Sequence, residues 1–564
     1  MKSYLVGILI IINFCLIGQN LQFAKGFEIY HTNNPSIGLD SNKNVYLANN
    51  FAGVADFDPS AGVYTLSTIP GSYNSFISKL DPFGNLIWTK DFKAYNNTYS
   101  GIEDIAVDKH GNSFVIGSFF GVVDFDPSPS TYTIASSPSL NSYDVFIAKL
   151  DVSGNFLWAK TIGSGLWDEG ISIDIDSIGN VYSTGMFSAV NTSSIPCVDF
   201  DPDLSTSFTL TAISDSGSDI FILKLDTDGN FVWVKQIGGT YEGVSSISVD
   251  VGGNTCVAGY FYGSVDFDPG PTTYSLNGIG NNDAYVFKLN SSGNFVWAKV
   301  FGSLNGEENA NYVTNDKAGN VYVSGVFETT ADFNPGPGVF NLSSAGQADV
   351  FILKLDITGN FVWAQKMGGA QIDYGAAMSV DSLQNVYTTG QISDDIFVSK
   401  FNNFGSVLWT ANIGSPNGTD FGSYIIADNS GNVYSTGAAY DDCDFDPGPA
   451  TYTVSQYPMA RMYILKLGIS QISGVKQEVK ASEEIASIYP NPVIDKLKIV
   501  LYDEKNTNLP TKITITDVTG KLIKQEEFIY KLTNEIDVQQ LQSGFYILNI
   551  NSEGMNYNKK FVKD

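Results

Sequence analysis

One short unit, repeated almost from end to end, decides what this chain can fold into. An Asp-x-x-[Gly/Lys/Gln]-Asn turn runs straight into an apolar strand, and it begins at Asp40, Asp108, Asp176, Asp250, Asp316, Asp381 and Asp428. The copies lie 65 to 74 residues apart, except for a last interval of 47. Repetition at this period means one supersecondary unit stacked many times, each copy burying its apolar face against the next.

A second turn of the same kind, at Asp81, Asp151, Asp226, Asn290, Asp356 and Asn402, leads into strands carrying Trp88, Trp158, Trp233, Trp297, Trp363 and Trp409. The seventh copy stops at Leu467 without such a strand, whereas Phe23 lies 65 residues before Trp88, one full period. A strand placed before the first unit and missing after the last is what closure of a ring requires. The fifth unit predicts four strands, over 310–315, 321–327, 349–356 and 360–366, and the third is apolar on both alternating faces, so it has neighbours on both sides. Four-stranded blades around an axis meet that demand and leave only short, protected edges. The expected fold is all-β: a seven-bladed β-propeller over 20–468, closed by the N-terminal strand, then a linker (469–487) and a small β-sandwich (488–564). The repeats, as in Asp316-Lys317-Ala318-Gly319-Asn320-Val321-Tyr322, resemble the bacterial seven-bladed β-propeller (SBBP) repeats, which implies the same fold and carries no catalytic assignment.

Lys and Arg number 31 against 59 Asp and Glu, a net charge of -28, which argues against nucleic acid and anionic membranes as partners. Residues 1–19 open with one basic residue and an apolar run too short to span a bilayer, so they are expected to be a cleaved signal peptide. No transmembrane segment is expected in the mature chain, and a monomer is expected. Cys197, Cys256 and Cys443 are far apart and form no CxxC pair, so neither a disulfide framework nor a zinc site is signalled.

Six of the seven units carry an insertion between their second and third strands. It holds Asp56-Phe57-Asp58-Pro59, Asp124-Phe125-Asp126-Pro127, Asp199-Phe200-Asp201-Pro202, Asp266-Phe267-Asp268-Pro269, Asp332-Phe333-Asn334-Pro335 or Asp444-Phe445-Asp446-Pro447. The sixth unit lacks it. In an extended backbone the two polar side chains point one way and the Phe the other. Two readings stand: a rigid turn in which Asp accepts local N–H groups and Pro fixes the bend, or an oxygen-rich site for a structural Ca²⁺. The insertions share a rim with the linkers between units, and that rim is the candidate binding face. Trp167 lies in one such linker, as a sugar-stacking platform or as a packed loop anchor.

Enzyme signatures are thin. The chain has two His, His31 and His110, and no HExxH, G-x-S-x-G or P-loop motif. Carboxylate-only chemistry leaves no local signature, and a secreted carbohydrate-active enzyme, hydrolase or lyase, with an acidic site at the propeller channel stands as the alternative to a non-catalytic binding scaffold. No catalytic residue and no cofactor is assigned.

Beyond the linker the balance changes, with ten Lys and ten acidic residues in 488–564. Four motifs follow in order: Tyr489-Pro490-Asn491-Pro492, then Asp517 with Gly520 and Lys521, then Gly544 with Tyr546, and finally Lys559-Lys560. Together they resemble the type A C-terminal sorting domain of the type IX secretion system of Bacteroidetes. The resemblance implies export through the periplasm, the type IX machinery as partner, and a product released or held at the outer-membrane surface. A glycan or another surface protein is then the expected ligand class.

Overall fold

The computed structural model describes the chain apart from residues 1–18, 31–33, 138–141, 189–196, 204, 214–216, 416–417, 441, 455–460, 470–485, 490–492, 494, 502–509, 518–520, 530–532, 543, 553–554 and 564. Nearly all of the expected signal peptide, His31 and most of the expected linker therefore lie outside the described residues. Among the described residues every regular element is a β-strand, and no helix is long and apolar enough to cross a membrane. The chain divides into two compact units, Met1–Ser470 and Gln471–Asp564.

In the first unit the turns set the pattern. Asp316 Oδ1 accepts the backbone N–H groups of Ala318 and Asn320 at 2.9 and 3.0 Å, and Oδ2 accepts from Asn320 Nδ2 at 2.7 Å. Gly319 takes φ of 82°, a left-handed conformation that a side chain would disfavour. The chain reverses here, and Glu308–Asn315, Val321–Asp332, Asn341–Leu355 and Phe361–Met367 pair antiparallel in sequence order. Residues 348–355 are buried without interruption, as a strand covered on both faces must be. Lys354 Nζ sits 4.9 Å from the centre of the Tyr322 ring, a contact repeated by Lys79 on Tyr46 and Lys466 on Tyr434.

The N-terminal strand Gln19–Tyr30 pairs antiparallel with Arg461–Ile469, from Gln19 opposite Ile469 to Phe27 opposite Met462. It thereby adds a fourth strand to Phe421–Ala427, Val433–Ala439 and Arg461–Ile469. Segments 37–39, 104–107, 173–175, 247–248, 312–314, 378–379 and 424–426 line one common cavity of about 240 Å³. Hydroxyls tie these inner strands together. Ser36 and Ser172 each donate to Asp104 at 2.8 Å, and Ser246 Oγ accepts the N–H of Val313 at 3.3 Å.

The second strand runs farther than the apolar pattern predicts. It ends at Asp332 rather than near 327, because Thr330 and Asp332 keep pairing with Ser343 and Asn341. The same extension reaches Asp56, Asp124 and Asp266, so these insertions are tips of hairpin extensions. Val198–Asp199 instead pairs with Thr209–Leu210 as a separate short hairpin, and Asp444 only bridges to Thr453. In the sixth unit Ile392 pairs directly with Asp395 across Ser393 and Asp394, both at positive φ.

In the C-terminal unit, Ala486–Tyr489, Lys496–Leu501 and Thr533–Asp537 form one sheet, and Leu522–Ile529, Pro510–Asp517, Gly544–Ser552 and Met555–Lys563 form another. Leu497, Ile499, Ile513, Ile515, Leu548 and Ile550 share one apolar core.

Candidate functional site

The Asp-Phe-Asp-Pro segments resolve into hairpin tips held by their own backbone. Asp56 Oδ1 accepts the N–H groups of Asp58 and Tyr64, at 3.0 and 2.8 Å. The same bonds recur at Asp124 to Asp126 and Tyr132, at Asp199 to Asp201 and Phe208, and at Asp266 to Asp268 and Tyr274. They recur again at Asp332 to Asn334 and Phe340, and at Asp444 to Asp446 and Tyr452. The second polar residue accepts from the N–H two places on, as Asp58 does from Ser60, Asp126 from Ser128, Asp201 from Asp203, Asp268 from Gly270, Asn334 from Gly336 and Asp446 from Gly448. Among the described residues no group of three His, Cys, Asp or Glu is placed to hold a metal ion. The intervening Phe residues are buried, and Phe333 packs at 4.8 Å from Phe351 and 5.3 Å from Phe327, ring centre to ring centre.

The insertions lie against the linkers between units. Gly238 pairs with Asp266, Gly302 bridges to Asp332 and Gly414 bridges to Asp444. Trp167, from the same class of linker, is 50% exposed and meets a partner that the sequence does not advertise. Its ring centre lies 4.5 Å from that of Tyr143, Tyr143 lies 5.5 Å from Tyr99, and Tyr99 lies 5.9 Å from Tyr73. These four rings, with Glu103 and Glu169, line a cleft of about 470 Å³.

Backbone bonds between neighbouring units set the row. The N–H of Ser100 donates to the carbonyl of Tyr73 at 3.0 Å, and that of Asp168 to the carbonyl of Tyr143 at 2.9 Å. Asn50 Nδ2 donates to the Tyr99 hydroxyl at 2.9 Å. Burial pushes the Glu103 carboxyl up to about 7, with Glu169 and Asp104 adding repulsion. The cleft combines exposed ring faces, one acid that holds its proton near neutrality, and a second carboxylate within electrostatic reach. Tyr73, Tyr99, Tyr143, Glu103 and Glu169 carry no local motif; Tyr73 matches Tyr143 and Tyr99 matches Trp167 in successive repeats, and the two Glu are marked by no such match.

Comparison with known proteins places the C-terminus. Residues 487–564 match the family described as the secretion system C-terminal sorting domain. The tail marks the protein for export.

In this sorting domain Tyr546 is buried and its hydroxyl donates to the Gln542 carbonyl at 2.8 Å. Asp517 pairs with Tyr546, Gly544 with Lys563, Lys560 with Ile547 and Lys559 with Leu548. Lys521 is exposed just before the strand Leu522–Ile529. Tyr489 ends the strand Ala486–Tyr489, whereas Pro490, Asn491, Pro492 and Gly520 lie outside the described residues.

Elsewhere the likeness is distant. An uncharacterized WD repeat-containing protein of Acanthamoeba polyphaga mimivirus is 24% identical over 443 residues, covering 67% of this chain and 31% of the relative. A solved puromycin hydrolase mutant complexed with PGG aligns at 10% identity and a TM-score of 0.29, over 73% of this chain and 59% of that one. The chain spans less than two thirds of the length of either.

Proposed function

We propose that the chain is an exported β-propeller that acts as a non-catalytic binding scaffold, with its ligand face on the insertion rim. In this reading the repeats form seven blades, and Gln19–Tyr30 completes the last one. The convergence of the inner strands on one cavity and the distant WD repeat likeness support the architecture. The signal peptide takes the chain to the periplasm, and the sorting domain hands it to type IX machinery for release or display.

The observation that carries the binding reading is the row of four aromatic rings on that rim. Trp167 is half exposed beside three partly buried rings, and an aromatic-lined concavity of this kind suits a ligand. A glycan or another surface protein is the ligand class. The test is a glycan and surface-protein array probed with the mature chain and with Trp167→Ala. Signals lost in the variant support the rim, and signals indifferent to it count against the rim. For export, a chain lacking 487–564 should accumulate in the periplasm.

The paired carboxylates favour a second reading, a secreted carbohydrate-active enzyme. Glu103, whose carboxyl is pushed up to about 7 by burial, has the character of a general acid, and Glu169 lines the same cleft. Turnover of any polysaccharide by the mature chain, abolished in Glu103→Gln, would decide for it.

A further inference from the structure

We propose that the Tyr73–Tyr99–Tyr143–Trp167 cleft takes an organic ammonium group, with Glu169 as its counter-charge. The inference rests on the reading of the rim as the ligand face and names the chemistry of its ligand.

The scaffold does not require these rings. The bond that joins Ser100 to Tyr73 and Asp168 to Tyr143 recurs from Glu308 to Asn282, from Asp373 to Ala348 and from Asp420 to Asp394. The residues at the Tyr73 and Tyr143 positions are there Asn282, Ala348 and Asp394. Those at the Tyr99 and Trp167 positions, one before the donor, are Glu307, Ile372 and Thr419. Non-aromatic residues occupy both places at these three junctions with the same backbone bond intact. Aromatic residues fill both places at two successive junctions, the ones that border this cleft.

The charge of the cleft selects among ligands. No Lys or Arg lines it, whereas two carboxylates do. An anion is therefore repelled. A hard metal ion seeks six or more oxygens, and aromatic faces offer none. A neutral sugar can stack on the rings but makes no use of the Glu169 carboxylate beside them. An ammonium group satisfies both features, because ring faces attract cations and the Glu169 carboxylate adds a counter-charge. The flanking Ser118 and Ile171 leave room for a short polar or apolar tail.

The test is titration of the mature chain with choline, ethanolamine and 3,3-dimethylbutan-1-ol, the uncharged isostere of choline, followed by calorimetry and tryptophan fluorescence. Choline or ethanolamine is expected to bind about tenfold more tightly than the isostere, the worth of one good cation contact. Trp167→Ala and Glu169→Gln should each weaken the ammonium ligand about fivefold or more at unchanged melting temperature. Ile372→Ala, at the place matching Trp167, should leave binding unchanged. Equal binding of the isostere, or no saturable binding of either ammonium compound, overturns the inference. A glycan that binds and is lost in Trp167→Ala, with no ammonium binding, overturns it while leaving the rim reading intact. A ligand of any kind indifferent to Trp167→Ala and Glu169→Gln overturns both.

Discussion

The Asp266 carboxylate accepts the backbone N–H of Tyr274 at 2.8 Å, closing the tip of its hairpin eight residues downstream. The same oxygen holds the N–H of Asp268 at 3.1 Å, so removing it strands two amide donors. Asp266→Ala should cost about 1–3 kcal/mol in urea unfolding. Asp268→Ala, which frees one N–H at an exposed tip, should cost less. Since the first carboxylate is already spent on the backbone, EDTA or added Ca²⁺ should leave the melting temperature unchanged. A calcium-dependent rise that disappears in Asp266→Ala would establish a metal there instead, because a ligand of the native state alone must raise stability.

The turns were legible because their chemistry is local. Asp316, Gly319 and Asn320 lie within five residues, and each does in space what its type implies in sequence. The permuted strand was legible from one interval, Phe23 to Trp88. The extension of the second strand to Asp332 was not, since residues 328–330 are polar or exposed and break the apolar run that marks a strand. The cleft was legible only at Trp167. Tyr73, Tyr99 and Tyr143 are scattered among 67 Tyr and Phe residues, and they meet Trp167 only because successive repeats place their strand starts side by side.

Phe333 shows how much the insertion contributes beyond its tip. Fully buried against Phe327 and Phe351, it ties the hairpin extension to the blade core. Phe333→Ala should cost about 3–5 kcal/mol, as for other large core truncations. Phe340→Ala, at a residue 37% exposed, should cost much less. Chemical denaturation of the two variants side by side checks the difference.

Stability should fall from mildly acidic to neutral pH. Burial pushes Asp174 and Glu308 up to about 7 and Asp168 up to about 6. A carboxyl raised in the folded state contributes stability that is complete below its unfolded value, near 4, and lost as pH rises through the folded one. At Asp81, Asp151, Asp226 and Asp356 burial acts upward too, but bonds from Asn85, Asn155, Asn230 and Asn360 outweigh it and hold these carboxyls low. Their contribution is present above about 4 and lost below it. The melting temperature should therefore peak near pH 4, with a decline through about pH 4–7 that Asp174→Asn makes shallower.

The three described cysteines are free, and they differ in reach. Cys256 is wholly buried, which pushes its thiol up to about 12, and burial raises Cys443 as well. Alkylation needs an accessible thiolate. Iodoacetamide at pH 8 should label the half-buried Cys197 in the native chain and spare Cys256 and Cys443 until denaturant is added, as mass spectrometry of tryptic peptides would show. Reducing agent should leave the melting temperature unchanged.

The proposed ring makes the N-terminal strand the most exacting test of the architecture. Phe23, Phe27 and Ile29 are buried in the core shared with Phe51, Phe76 and Ile464, and each contributes about 1.5–3 kcal/mol of apolar burial. Deleting residues 19–30 removes that burial and bares the backbone edge of Arg461–Ile469, an invitation to aggregate. The truncated chain should be insoluble or unfold at a much lower temperature. Because Gln19 lies opposite Ile469, the strand can also be moved. Joined after Ile469 through a turn copied from 356–360, it would complete the hairpin that every other repeat forms between its third and fourth strands. This permuted chain, begun at Asn34, should recover the original melting temperature. A truncation without effect, or a permutation that fails to rescue, would mean that the last blade does not depend on the first strand.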